Sequence, residues 1–176
     1  MHWRGVCGLT VLALLGALQT PAASERQPIA IVVSAEWETP PEIQLATLRR
    51  LYMGRITRWA GQPVERYDLA SGTRPRVTFT SQVMGLTERE LEDYWLEQAL
   101  SGGAIPPREV DGMVEMRRVI ASRAGRIGYL PLAALESGDA ARLRVLAVSV
   151  GGRTRHPREA DYPIDMDRAS GAKGQD

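Results

Sequence analysis

The run Ile29–Ser34 (IAIVVS) constrains this chain more than any other segment. It is an unbroken, largely β-branched stretch with no polar alternation. Such a stretch reads as a strand with neither face in water. A strand of that kind needs a sheet covered by helices on both sides. Strand and helix signals follow it in alternation. Thr39-Pro40-Pro41-Glu42 opens a predicted helix, with Thr39 as cap and proline in the first turn. Its apolar stripe is Ile43, Leu45, Leu48, Leu51 and Tyr52, and Gly54 is its left-handed stop. Residues 55–63 read as a turn-rich connection anchored by Trp59, and residues 64–68 as a weak strand.

Residues 77–84 fit a helix or a strand equally well. Thr87-Glu88-Arg89-Glu90 is a capping box that opens a second helix through Leu91, Tyr94, Trp95, Leu96 and Ala99, ended by Ser101-Gly102-Gly103. Ile105-Pro106-Pro107 is extended linker. Asp111 caps a third helix bearing Met113, Met116 and Ile120, which stops at Ala124-Gly125. Residues 126–131 and 142–150 are the last strands. The β-α-β-α-α-β-β order predicts an α/β domain with a mostly parallel sheet flanked by helices, over residues 25–150. Ligands of such sheets sit at the carboxyl ends of the strands. Residues 151–176, polar and rich in Gly, Arg and Asp, read as an unfolded tail.

Residues 1–24 have the order of a secretory signal peptide: a weakly positive start (Arg4), an uncharged apolar run from Gly5 to Leu18, and small residues up to Ser24. The run is short for a membrane span, which takes about 20 residues. Its removal takes away Cys7, the single cysteine, so a mature chain has no thiol for a disulfide, a thiolate metal site or a nucleophile. These features predict an exported, periplasmic protein with no span after cleavage. The 22 Lys+Arg balance 21 Asp+Glu to a net +1. That balance argues against nucleic acid as a partner, because such binders carry a basic excess.

Catalytic patterns are thin. His156 is the one histidine beyond residue 24 and reads as a solvated tail residue. Glu88, Glu90, Glu92, Asp93 and Glu97 read as a solvated helix face with i,i+4 pairing. The informative stretch is Arg66-Tyr67-Asp68-Leu69-Ala70-Ser71-Gly72-Thr73, followed by Arg74 and Arg76. A glycine between two hydroxyl residues gives a turn whose amides can point inward, and an arginine fork suits an oxyanion. Asp68 suits an anion only by accepting a proton from a partly protonated one. Spacing alone favours the plainer reading, an ordinary polar turn between two elements.

Three segments in order carry a resemblance. The segment from Leu48 to Trp59 (LRRLYMGRITRW) is similar to an "L-x-x-I-[FY]-x-G-[KR]-x-x-x-W" pattern. Arg66 to Thr73 is similar to an "R-x-D-G-S-G-T" loop, with one extra residue and Leu69-Ala70 in place of the first glycine. Ala124 to Tyr129 (AGRIGY) is similar to a "G-x-I-G-Y" turn. From Ile29 to about Val148 the chain thereby resembles the phosphate ABC transporter substrate-binding proteins of the type II periplasmic-binding fold, and more closely their short, single-lobe relatives. In those relatives a Ser/Thr then an Arg before a Phe is the more typical pattern, which Thr73, Arg76 and Phe79 fit.

The resemblance implies a non-enzymatic protein that binds phosphate or a similar oxyanion through Arg66, Asp68, Ser71, Gly72, Thr73 and Arg76, without cofactor or metal. It implies an inner-membrane ABC transporter or another envelope protein as partner. An alternative is an accessory protein that keeps the lobe, has lost the ligand and presents a patch built around Trp37, Tyr52 or Trp59. In either reading Gly125 stops a helix and Gly128 permits close packing.

Overall fold

The computed structural model describes residues 27–167. The signal-peptide reading of residues 1–24 lies outside them. Strand β1 (Ile29–Ser34) is buried along its whole length, as its composition demands. It lies in the middle of a seven-stranded sheet, hydrogen-bonded on both edges. Its neighbours are β7 (Arg126–Pro131) and β8 (Leu143–Val150), both antiparallel to it. Beyond β7 lie β5 (Glu65–Leu69) and then β6 (Arg108–Val110), each parallel to its neighbour. Beyond β8 lies β2 (Glu42–Gln44), again parallel. Five strands therefore share one direction, and β1 opposes them with the short β9 (Arg153–Arg155). The sheet is mostly parallel and flanked by helices.

Helices cover the two faces because side chains alternate along each strand. On β7, Tyr129 points to one side, where it stacks on Phe79 at 3.9 Å and 2° and meets Tyr52 edge-on at 6.1 Å. These belong to α2 (Arg74–Phe79) and α1 (Leu45–Tyr52). Gly128 points to the other side, against Met116 and Ile120 of α4 (Met113–Ala121). A methyl group at Gly128 would stand 2.5 Å from Met116 Sδ and 3.1 Å from Ile120. Gly125, at φ +82°, turns the chain from α4 into β7.

Several expectations shift. The first helix begins at Leu45 rather than at the prolines, because residues 42–44 pair with β8 and bury only Ile43. Thr39 instead accepts from the Arg144 guanidinium. Residues 58–63 close a small hairpin, β3 (Arg58–Trp59) and β4 (Gln62–Pro63), and Trp59 packs edge-on against Trp37 at 5.4 Å. The undecided residues 77–84 are helical, α2 continuing into one π turn, Thr80–Met84, that ends at Gly85. The capping box of α3 (Glu88–Leu100) is present as read. Gly112, not Asp111, stands at the cap of α4.

The largest difference is after Gly151. Residues 151–167 are folded: a Gly151-Gly152 turn leads into β9, and Tyr162, Ile164 and Met166 enter the core. The Ile29 amide donates to the Ile164 carbonyl at 2.9 Å, and the Gln82 side-chain amide brackets the Asp165 backbone at 2.6 and 2.7 Å. The polar average of the segment conceals apolar residues at every second position, which is the spacing of an extended strap. Residues 168–176 of that expected tail lie outside the described chain. Gly128→Ala should lower stability by about 1–3 kcal/mol, because α4 must lift off β7 to admit the methyl group. The midpoint of urea unfolding measures it.

Candidate functional site

Five strand ends point to one edge of the sheet, and the loop after β5 emerges there. Arg66 and Asp68 alternate with Tyr67 on β5, so both side chains enter the layer that holds α1 and α2. They reach different partners. The Arg66 guanidinium donates to the Leu51 carbonyl at 2.9 Å, at the end of α1, and to the Ile105 carbonyl at 2.9 Å. Arg66 thus joins α1 to the linker after α3, on carbonyls different from those that hold Thr73 and Arg76. It is buried, and these two hydrogen bonds go to neither Thr73 nor Arg76.

Asp68 is buried beside the loop. The Tyr129 hydroxyl donates to its Oδ1, and the Leu69 amide donates to the same oxygen at 3.0 Å. The Asp68 Oδ2 lies 3.6 Å from Arg76 Nε. Burial pushes the Asp68 carboxyl above its ordinary pKa, while Arg76 and the Tyr129 hydroxyl pull against that rise. The sequence reads Tyr129 with its two glycines as part of a turn. The structure makes it the partner of Asp68, and burial raises its own pKa well above the ordinary phenol value.

The loop itself is tight. Thr73 Oγ1 donates to the Ala70 carbonyl at 2.8 Å, and Gly72 takes φ +78°, a conformation that disfavours other residues. Ser71 and Gly72 are exposed. Arg76, one turn into α2, folds back over the loop with its side chain 13% exposed. Its Nη1 donates to the Leu69 carbonyl and to Glu109 Oε2, each at 2.7 Å. Its buried Nε faces Asp68 at 3.6 Å and Glu88 Oε1 at 3.4 Å without a hydrogen bond.

Glu88 is the residue that sequence reasoning misplaced. As the first residue of α3 it reads as solvated helix surface. In the structure both its carboxylate oxygens accept from the Gly72 amide, at 3.2 and 3.1 Å. Sixteen residues separate the two, and local spacing carries no sign of the contact. Asp68, Gly72, Thr73 and Arg76 therefore gather around the loop, with Ser71 on its outer surface, and Arg66 stands apart. A groove of about 560 Å³ opens at the same sheet edge, between Gln44, Arg49, Gly85, Ser149 and the Gly151-Gly152 turn. None of the six residues lines it. Trp37 and Tyr52 are fully buried, so the surface patch expected around them does not form there. Among the described residues no helix is long and apolar enough to cross a membrane.

The raised Asp68 pKa has a definite sign. A carboxyl that holds its proton more tightly folded than unfolded makes stability fall as pH rises from the unfolded value, near 3.9, through the folded one. Above the folded value the loss is constant. The difference in unfolding free energy between the native chain and Asp68→Asn should follow that slope between pH 4 and 7, with the native chain losing ground. Urea titrations of both proteins across that range measure it.

No family model matches the sequence, and no curated protein matches it. Solved structures do. An ABC-type phosphate transport receptor from Vibrio cholerae superposes with a TM-score of 0.62 at 18% identity, over 80% of this chain and 54% of that one. A protein from Clostridium perfringens solved with bound phosphate gives 0.61 at 17%, over 80% and 53%. PstS from Borrelia burgdorferi gives 0.60 at 14%, over 80% and 55%. The chain spans about half the length of these structures, and over that half it has the fold of the phosphate ABC transporter substrate-binding proteins.

Proposed function

We propose that this chain is an exported, non-enzymatic solute-binding-type protein that takes phosphate or a similar oxyanion at the loop after β5. One observation carries the reading. The Gly72 amide and the Arg76 guanidinium already converge on a two-oxygen anionic group, the Glu88 carboxylate. Donors so placed suit a tetrahedral oxyanion, with Thr73 and Ser71 beside them. Asp68, with its raised pKa, can accept or share a proton with a hydrogen-bearing phosphate and disfavour sulfate. The structural neighbours are transport receptors, and one holds phosphate. Delivery to an inner-membrane ABC transporter, or to another envelope protein, follows from the same likeness.

The loop belongs to one lobe and lies open to water at Ser71 and Gly72, which screens its charges. Weak binding is expected. Arg66 is assigned a structural part, so Arg66→Ala tests the fold rather than the site. A second reading, an accessory protein without a ligand, is favoured by the exposed apolar stripe on α3, where Leu96 is 60% and Leu100 82% exposed. Calorimetric titration of the purified protein with phosphate and with sulfate decides between them. Phosphate should bind in the high micromolar to millimolar range, sulfate less, and Arg76→Ala should lose at least tenfold in phosphate affinity, or about 1.4 kcal/mol. No heat from either anion at millimolar concentration overturns the first reading.

A further inference from the structure

We infer that Glu88 is a built-in competitor for the oxyanion site, and that an incoming anion binds by displacing its carboxylate from Gly72 and Arg76. The inference rests on the proposed function of the loop. Glu88 occupies the loop's donors as a bound anion would: both oxygens on the Gly72 amide at 3.2 and 3.1 Å, and one oxygen 3.4 Å from Arg76 Nε. An anion cannot share those donors with it, since two negative groups would meet at contact distance.

Three features make the carboxylate displaceable. It stands on the first residue of α3 with its side chain 23% exposed, so it has a path to solvent. It does not hold the helix end together. Thr87 and Glu90 do that: the Thr87 amide donates to Glu90 Oε2 at 2.7 Å, and the Glu90 amide donates to Thr87 Oγ1 at 3.2 Å. Arg76 does not depend on it either, because Nη1 keeps Leu69 and Glu109 at 2.7 Å. Removing the charge at position 88 thus frees the amide and the Nε edge of Arg76 without uncapping α3.

Around Arg76 three carboxylates gather, Asp68, Glu88 and Glu109. A dianion entering beside all three meets more negative than positive charge. With Glu88 swung out, one of the three leaves the neighbourhood and the guanidinium edge it faced becomes available. The native affinity is accordingly that of the open loop reduced by the fraction of time Glu88 lies elsewhere.

The test compares the native protein with Glu88→Gln and Glu88→Ala by phosphate titration, read by calorimetry and by the Gly72 amide resonance. Urea unfolding checks that both variants keep the fold. Glu88→Ala should bind phosphate at least tenfold more tightly than the native chain, and Glu88→Gln should gain in the same direction. In the native chain phosphate should shift the Gly72 amide, reporting exchange of one anion for the other. Equal affinity in all three proteins overturns the inference and leaves the binding function intact. Weaker binding in the variants also overturns it and makes Glu88 a ligand contact. No binding by any of the three, at millimolar phosphate, overturns both the inference and the function on which it rests.

Discussion

Strand β1 fixes the direction of everything around it. It has no wet face, and both of its edges are taken by strands that run against it. With β7 and β8 held in a common direction by this one opposing strand, the parallel pairings of β5, β6 and β2 bring their carboxyl ends to a single edge. The loop with the candidate donors is there for that reason. Its position follows from the sheet before any of its own side chains are considered.

Within the loop, two arginines of similar sequence setting have different duties. Arg66 sits inside β5, where a guanidinium among backbone must satisfy itself with carbonyls, and it finds those of Leu51 and Ile105. Arg76 sits on a helix turn beside the loop and has carboxylates within reach. A buried cation that meets only neutral carbonyls ties segments together. One that meets acids creates a charged centre whose balance a ligand can change. The aromatic trio of Tyr52, Phe79 and Tyr129 holds α1 and α2 against β7, and the hydroxyl of Tyr129 brings Asp68 into that centre.

The main lines of the fold were legible because they depend on local patterns. The IAIVVS run, the Thr87–Glu90 box, and Gly54 and Gly125 at positive φ each state a local backbone requirement, while Gly128 answers to the packing of α4 on β7. The short strands β2, β6 and β9 were not legible, since three residues carry too little periodicity and their pairing comes from the neighbouring strand. The strap at residues 162–167 was hidden by a polar composition around alternate core residues. Of the site, the loop's position and the place of Asp68 and Arg76 beside it could be read. The separation of Arg66 and the arrival of Glu88 and Tyr129 could not, because they arise from the packing of segments far apart in the chain.

The strap has a topological consequence. Met166 donates its amide to the Gln27 carbonyl at 3.1 Å, and Pro28 bridges to Asp165. The described fold therefore begins and ends at one spot, and its backbone is nearly a closed ring. A short linker between residues 27 and 167 would complete that ring, and new ends cut in an exposed turn such as Gly151-Gly152 would leave the order of the strands in space unchanged.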